Sequence, residues 1–298
     1  MDRRFPIVEF DAGKFSPFFG EKTKLPIAQL LSGGACNSNY LVETEKEKFV
    51  CRIYNRGNPQ LESAIQEFTR DLVPTPEYMW VGDGVSVMRY IEGQHFEPTK
   101  NLVREAGRII CSLSKITFSR SGELKPDGTV VGFAGWSSCR DGLLAFFDRP
   151  AVKEYLDERT IVELRDLIDD QGELLDSFDS CHNLVHGDFR PDNILVSGDS
   201  IVGILDWEFT HSGCSYMDIG NLMRHISPKW RNDLEIGLIE AGFHLPEDWR
   251  FRASLIDLTS HLEFLTSARS KEFKLTCVER IHKLIKLNTE QVASGQRR

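Results

Sequence analysis

The sequence has no run of ~18 uninterrupted apolar residues, so no membrane-spanning helix is expected. It has no CxxC spacing. Its seven cysteines (Cys36, Cys51, Cys111, Cys139, Cys181, Cys214 and Cys277) are odd in number and scattered, which argues against a zinc site and a disulfide framework and fits a reduced, cytoplasmic interior. The opening Met1-Asp2-Arg3-Arg4-Phe5-Pro6 lacks the apolar stretch of a signal peptide. There is no excess of base either. Lys and Arg number 36 against 45 Asp and Glu, a formal charge of −9, whereas nucleic-acid binders cluster Lys and Arg against phosphates. The acidic balance instead favours a cationic partner. Internal repeats and low-complexity segments are absent.

What is present is a chain of 298 residues, 41% of them hydrophobic, enough for one large domain or two modest ones. The front of the chain reads as mostly strand. Asn39-Tyr40-Leu41-Val42-Glu43-Thr44 alternates, Glu45-Lys46-Glu47-Lys48 turns, and Phe49-Val50-Cys51-Arg52-Ile53-Tyr54 is rich in aromatic and β-branched residues, which together predict a hairpin. Pro59 then precedes Leu61, Ala64, Ile65 and Phe68 at helical spacing, closed by Pro74 and Pro76. A turn at Val81-Gly82-Asp83-Gly84 joins two further strands, the second running to Ile91. Beyond Glu92-Gly93 the pattern becomes helical, over 102–116, 151–156, 161–178, 217–226, 233–241, 251–267 and 277–291, with strands only at 193–196 and 201–205. A strand-rich front and a helix-rich back imply an α+β, bilobal fold. Its first lobe is expected over 1–91, its connector at 88–93 and its second lobe over 92–298, with a cleft between the lobes.

The chemistry is concentrated in Leu184-Val185-His186-Gly187-Asp188-Phe189-Arg190-Pro191-Asp192-Asn193-Ile194-Leu195-Val196 and in Gly203-Ile204-Leu205-Asp206-Trp207-Glu208. Phosphoryl transfer needs Mg²⁺, which takes hard oxygen ligands such as a carboxylate and an amide carbonyl. It also needs a further carboxylate beside the acceptor hydroxyl. Asp188, Asn193 and Asp206 supply these groups in the order that protein kinases use: catalytic Asp, Asn, then a metal-binding Asp after a hairpin. His186 is expected to brace the loop as a buried hydrogen-bonder rather than move protons, and Asp192 to be a turn residue.

These motifs, with Gly213 and Asp218-Ile219-Gly220-Asn221-Leu222, resemble the aminoglycoside phosphotransferase/choline kinase-like family of small-molecule kinases. The resemblance implies a protein-kinase-like fold, with a small antiparallel sheet and one helix in the first lobe. It further implies ATP (or GTP) with Mg²⁺ as cofactors, Asp188 as catalytic base, Asn193 and Asp206 as metal ligands, and Asp218 as the residue that ties the catalytic loop in place. Ser32-Gly33-Gly34-Ala35-Cys36-Asn37-Ser38-Asn39-Tyr40 looks like the family's nucleotide loop, with Ser32, Gly33, Gly34 and Ser38 near phosphate. Arg52 occupies the strand position where kinases place a phosphate-binding Lys. Its helix partner is expected to be Glu62, with Glu67 the competitor. Met88-Arg89-Tyr90-Ile91 resembles the connector that binds adenine.

No Ala-Pro-Glu follows Asp206, and only a short segment separates it from Asp218, which favours a small acceptor over a protein. The acceptor is therefore expected to be a small hydroxylated molecule, cationic if Asp257 and Glu263 hold an amine. The alternatives are a catalytically retired kinase fold that binds nucleotide and, behind it, a protein kinase.

Overall fold

The computed structural model describes residues 5–20, 28–31 and 36–293. Ser32, Gly33 and Gly34 lie outside the described residues. The strands are β1 (Gln29–Leu30), β2 (Ser38–Glu43), β3 (Lys48–Ile53), β4 (Tyr78–Gly82), β5 (Val85–Arg89), β6 (Gln94–His95), β7 (Glu123–Leu124), β8 (Val130–Val131), β9 (Asn183–Val185), β10 (Ile194–Ser197), β11 (Ser200–Ile204) and β12 (His211–Gly213). The α-helices are α1 (Ala12–Phe19), α2 (Pro59–Phe68), α3 (Lys100–Ser114), α4 (Cys139–Leu144), α5 (Pro150–Lys153), α6 (Glu158–Asp170), α7 (Gly172–Asp179), α8 (Tyr216–His225), α9 (Arg231–Glu240), α10 (Trp249–Ile256), α11 (Leu258–Thr266) and α12 (Lys271–Ala293).

In the first lobe an antiparallel five-stranded sheet is ordered β1-β2-β3-β5-β4. The β2–β3 hairpin pairs Ser38 with Ile53 and Glu43 with Lys48, and its turn is fixed by the Thr44 hydroxyl, which accepts from Glu47 N at 3.0 Å. Alternation sends Tyr40, Val42, Phe49 and Cys51 into one core with Val85, Val87 and Phe15. Phe15 comes from α1, a helix the apolar spacing did not announce. It is capped by Asp11 and covers the sheet through rings such as Phe18 and Phe49, 5.5 Å apart. The expected helix is α2. Asn58 accepts from the N–H groups of Gln60 and Leu61, and Pro59 opens the first turn, where its missing N–H costs nothing.

The second lobe is built around α3, which crosses α9 at very short range. A Cβ on Gly237 would lie 2.1 Å from Arg104 O, and one on Gly107 would lie 2.9 Å from Leu234 O, so both positions require glycine. Two of the expected helices are broken. The run 161–178 divides at Gln171 between α6 and α7, and 251–267 divides at Asp257 between α10 and α11. Amphipathic period alone does not locate such breaks. Helices α4–α7 and α10–α12 share one core, and α3, α8 and α9 share another with the catalytic strands.

The lobes are stitched at the site. Directly after the connector, β6 pairs with β10, His95 opposite Leu195. Pro74 O, from the segment after α2, accepts Ile204 N at 2.7 Å, and Asn193 O accepts Leu205 N at 2.7 Å. The β10–β11 hairpin therefore holds the ends of both motifs against the sheet-bearing lobe. Among the described residues, no helix is long and apolar enough to cross a membrane.

Candidate active site

Strand β9 buries Leu184 and Val185 completely and delivers the chain to His186, which is also inaccessible. Asp188 N donates to His186 Nδ1 at 3.2 Å, so Nδ1 is the acceptor and the proton sits on Nε2, which is 2.9 Å from Leu205 O. Burial holds the ring's pKa down to about 4, so it is a neutral brace between the two motifs. Gly187 turns with φ +82°, and a Cβ there would lie 2.5 Å from Phe209 O. Asp218, 1% exposed in the first turn of α8, accepts His186 N and Gly187 N, each at 2.9 Å. Burial pushes its carboxyl up to about 7 against those two donors. Asn221, one turn on, donates to Gly187 O at 3.0 Å. The loop is thus clamped on both sides by α8.

That clamp presents Asp188. Its Oδ2 accepts from Asn193 Nδ2 at 2.9 Å and lies 3.1 Å from Arg190 Nε. Burial raises its pKa, while Arg190 and the Asn193 amide oppose the shift and Asp206 adds to it. Because Asn193 spends its N–H₂ on Asp188 O and Oδ2, its Oδ1 makes no hydrogen bond among the described residues. Asp206 caps β11 with φ 66°, a left-handed conformation uncommon for a residue with a Cβ. Trp207 secures that turn, donating its indole N–H to Ile204 O at 2.9 Å. The Asp206 side chain is 35% exposed, with Oδ1 3.5 Å from Arg52 Nη1. One amide oxygen and one carboxylate, both hard donors, suit Mg²⁺.

Arg52 spans three partners: Nε donates to Asn39 Oδ1 at 2.9 Å, and Nη1 lies 2.7 Å from Glu62 Oε2 and 3.5 Å from Asp206. Glu62 is 1% exposed and also accepts from the Tyr54 and Tyr78 hydroxyls at 3.2 and 3.0 Å. Burial raises its pKa against the pull of Arg52. Glu67 instead pairs with Arg70 on the exposed face of α2. Glu208, 5% exposed at its side chain, is pushed up to about 7 by burial and by Asp206, with Arg56 4.0 Å away.

Several expected site residues are placed differently. The Ser38 hydroxyl is fully buried and accepts Val8 N at 3.0 Å, so it faces the segment before α1 and not a phosphate. Met88 and Arg89 lie inside β5, where Met88 is paired on both sides. Arg89 N donates to Glu77 O, its side chain bridges Glu47 and Glu77, and Tyr90 N donates to Lys48 O at 3.0 Å. Ile91, past the strand, makes no backbone hydrogen bond among the described residues. Asp257 is 3% exposed and paired with Arg224 and with His261 Nε2, the latter at 3.4 Å, so it has no oxygen to offer an amine. Glu263 lies on the exposed side of α11. Arg190 is a site residue that the motif spacing does not announce. Its signal was a basic residue two places after Asp188, in a loop that would otherwise face phosphate with acids alone.

A family model described as "Phosphotransferase enzyme family" matches residues 27–255. A homoserine kinase of Zymomonas mobilis is 22% identical over 219 residues, 67% of this chain, and the chain spans 64% of that relative's length. A Thermobifida fusca structure described as that of a candidate fructosamine-3-kinase superposes with TM-score 0.70 at 16% identity, covering 92% of this chain and 98% of its own. A thermostable mutant of aminoglycoside phosphotransferase APH(4)-Ia, in ternary complex with AMP-PNP and hygromycin B, gives TM-score 0.64 at 16% identity over 92% of this chain and 97% of its own. At these identities the likeness to the two structures establishes the fold, which is protein-kinase-like.

Proposed function

Because this chain belongs to the phosphotransferase enzyme family, we propose that it moves the γ-phosphate of ATP, or of GTP, to a hydroxyl of a small molecule. The observation that carries this reading is the Asp188 carboxylate, restrained by Asn193 at 2.9 Å and Arg190 at 3.1 Å, on a loop joined through Leu205 to Asp206 and Arg52.

Asp188 orients the acceptor hydroxyl and takes its proton as the acceptor oxygen bonds to the γ-phosphorus. The bond from that phosphorus to the β–γ bridging oxygen breaks, and the diphosphate leaves with the electron pair. The raised pKa of Asp188 makes it a stronger base than an ordinary carboxylate. Arg190 offsets charge beside the base, and Arg52 meets the nucleotide phosphates from the sheet side. Asn193 Oδ1 and Asp206 would hold Mg²⁺, which when bound neutralises phosphate oxygens. Adenine is assigned to the connector, where the Ile91 backbone groups make no hydrogen bond among the described residues. Seven free cysteines suit a reducing, cytoplasmic setting.

Candidate acceptors follow the relatives' names: homoserine, fructosamine-type sugars and aminoglycosides. The test is an ADP-release screen over hydroxylated metabolites and antibiotics, repeated with Asp188→Asn. Loss of transfer by ~10²–10⁴-fold with nucleotide binding retained supports the assignment. Normal turnover in the variant removes it.

One observation favours a second reading, a retired fold that only binds nucleotide: the guanidinium of Arg52 already engages Asp206 at 3.5 Å. ATP-induced thermal stabilisation, independent of Mg²⁺ and without transfer to any acceptor, would select it.

A further inference from the structure

We propose that Asn39 is a positioning residue for phosphate: its amide oxygen fixes the plane of the Arg52 guanidinium and leaves Nη2 to meet a phosphate oxygen of the nucleotide. That the phosphates belong to a nucleotide rests on the phosphotransfer reading above.

Asn39 lies directly opposite Arg52 in the β2–β3 hairpin. Residues in register across an antiparallel pair send their side chains to the same face, which brings these two within reach. Arg52 Nε donates to Asn39 Oδ1 at 2.9 Å. A guanidinium has donors only, so the amide must present its oxygen here. The other anchor is Glu62, and it holds a single point. Its Oε2 accepts from Arg52 Nη1 at 2.7 Å and from the Tyr54 and Tyr78 hydroxyls, whereas Oε1 is buried with no hydrogen-bond partner among the described residues. The pair is therefore not the two-pronged arrangement that carboxylates often make with arginine. One bond between one nitrogen and one oxygen leaves a planar group able to pivot about it. Asn39 supplies a second fixed point on another nitrogen, and the Tyr54 ring lies against the guanidinium, its centroid 5.6 Å from Cζ.

With Nε and Nη1 both held, Nη2 is the remaining nitrogen. It makes no hydrogen bond among the described residues and is not sealed from solvent, the side chain being 10% exposed. Nη1 also stands 3.5 Å from Asp206 Oδ1, on a side chain 35% exposed, so the fork sits at the edge of the cleft beside the metal-binding motif. A neutral amide suits this task better than a second carboxylate. It orients the guanidinium without cancelling its charge, which stays available to an anion. The need for Asn39 is particular to arginine. A lysine ammonium is a point charge whose three donors rotate, with no plane to hold.

The test is a double-mutant cycle read by binding. AMP-PNP with Mg²⁺, and separately adenosine, are titrated calorimetrically into the full chain, Asn39→Leu, Arg52→Lys and the double variant. Leucine is close in size to asparagine and lacks the acceptor. Asn39→Leu should weaken AMP-PNP at least about fivefold and leave adenosine, which carries no phosphate, within about twofold. In the Arg52→Lys background the same substitution should change AMP-PNP by less than about twofold. With any acceptor that the screen finds, KM for ATP should follow the AMP-PNP ratio while KM for the acceptor holds. Asn39 is half-buried in its strand, and Asn39→Val, β-branched and equally without an acceptor, carries the same comparison if the leucine variant folds poorly. An equal fold loss in the two backgrounds, an equal loss of adenosine and AMP-PNP, or no loss at all would overturn the proposal. A phosphate-selective, arginine-dependent loss without transfer to any acceptor would sustain the role of Asn39 and count against phosphotransfer alone. A wild-type chain that does not bind AMP-PNP would remove the phosphotransfer reading and this role with it.

Discussion

Replacing Arg52 in two ways tests how the site is held together. Arg52 is 8% exposed and Glu62 is 1% exposed, their charged atoms 2.7 Å apart. Truncation by Arg52→Ala leaves the Glu62 carboxylate buried with only the Tyr54 and Tyr78 hydroxyls, and stranding one member of a buried pair costs ~3–5 kcal/mol. Arg52→Lys keeps the charge but has no fork. It can face Glu62 or reach towards Asn39 and Asp206, but not all three. The Asp206 contact is at 3.5 Å to a side chain 35% exposed, so solvent screening leaves it contributing little. The Lys variant therefore loses mainly the bond to Asn39, which solvent partly replaces, about 1–2 kcal/mol. Thermal or urea unfolding should rank wild type above Arg52→Lys above Arg52→Ala, with the two variants separated by at least ~1 kcal/mol. The gap also carries a pH signature. Burial already raises Glu62 in the wild type, and removing Arg52 raises it further. A raised carboxyl gives stability that is lost as pH rises through its folded pKa, so the Arg52→Ala deficit should be small in acid and grow towards pH 8. Equal stability of the two variants, or an Arg52→Ala deficit independent of pH, would refute the claim that this ion pair organises the sheet side of the site.

Other perturbations follow from the same geometry. Gly187→Ala would place a Cβ 2.5 Å from Phe209 O at φ +82°, so it should lower kcat together with melting temperature, whereas Gly84→Ala, also at positive φ but with nothing within 4 Å of its Cβ, should affect stability alone. Asp218→Asn keeps one acceptor and exposes the other backbone N–H to an amide N–H₂, costing about 1–3 kcal/mol. Since burial raises Asp218 from 3.8 to about 7, wild-type stability from this group is full below 3.8 and lost as pH rises through 7, and the variant's deficit should shrink over that window in urea titrations at several pH values. The acid limb of kcat/KM, governed by deprotonation of Asp188, should have its midpoint above the ordinary aspartate value of 3.8; a midpoint at or below 3.8 would remove burial as the tuning force.

The catalytic loop was legible because its geometry is local. Asp188 and Asn193 are joined through a single turn, and the acceptors that fix the loop, His186 Nδ1 and the Asp218 carboxylate, take N–H groups of the loop's own backbone. A spacing in the sequence therefore maps directly onto hydrogen bonds of 2.9–3.2 Å. The choice between Glu62 and Glu67 was harder. Both are acidic and both lie on α2, and what separates them is which face of that helix meets β3, a tertiary fact. Ser38 misled for a related reason. Its place in the expected nucleotide loop suggested phosphate, while the alternation of β2 turns its hydroxyl towards Val8. The helix α1 went unread because its aromatic residues are stacked against the sheet on several sides and give no clean helical stripe.

Net charge shows most clearly what composition cannot convey. A formal −9 suggested a cationic acceptor, with Asp257 and Glu263 as its partners. Folding spends Asp257 on Arg224 and His261, and leaves Glu263 on the outer side of α11. The arginines that act on the base are Arg190 of the catalytic loop, 3.1 Å from the Asp188 carboxylate, and Arg224 of α8. They are so far apart in sequence that no window of the chain looks basic. Total charge is a sum over the surface, while an acceptor responds to the few charges within a Debye length of its own polar groups, about 8 Å at physiological salt. An acidic protein can thus set cations beside its base, and its acceptor preference should follow the charges around Asp188 rather than the overall balance. Adding surface acids far from the cleft should leave kcat/KM for a charged acceptor unchanged at physiological ionic strength, whereas Arg190→Gln, which removes the cation 3.1 Å from the Asp188 carboxylate, should move it.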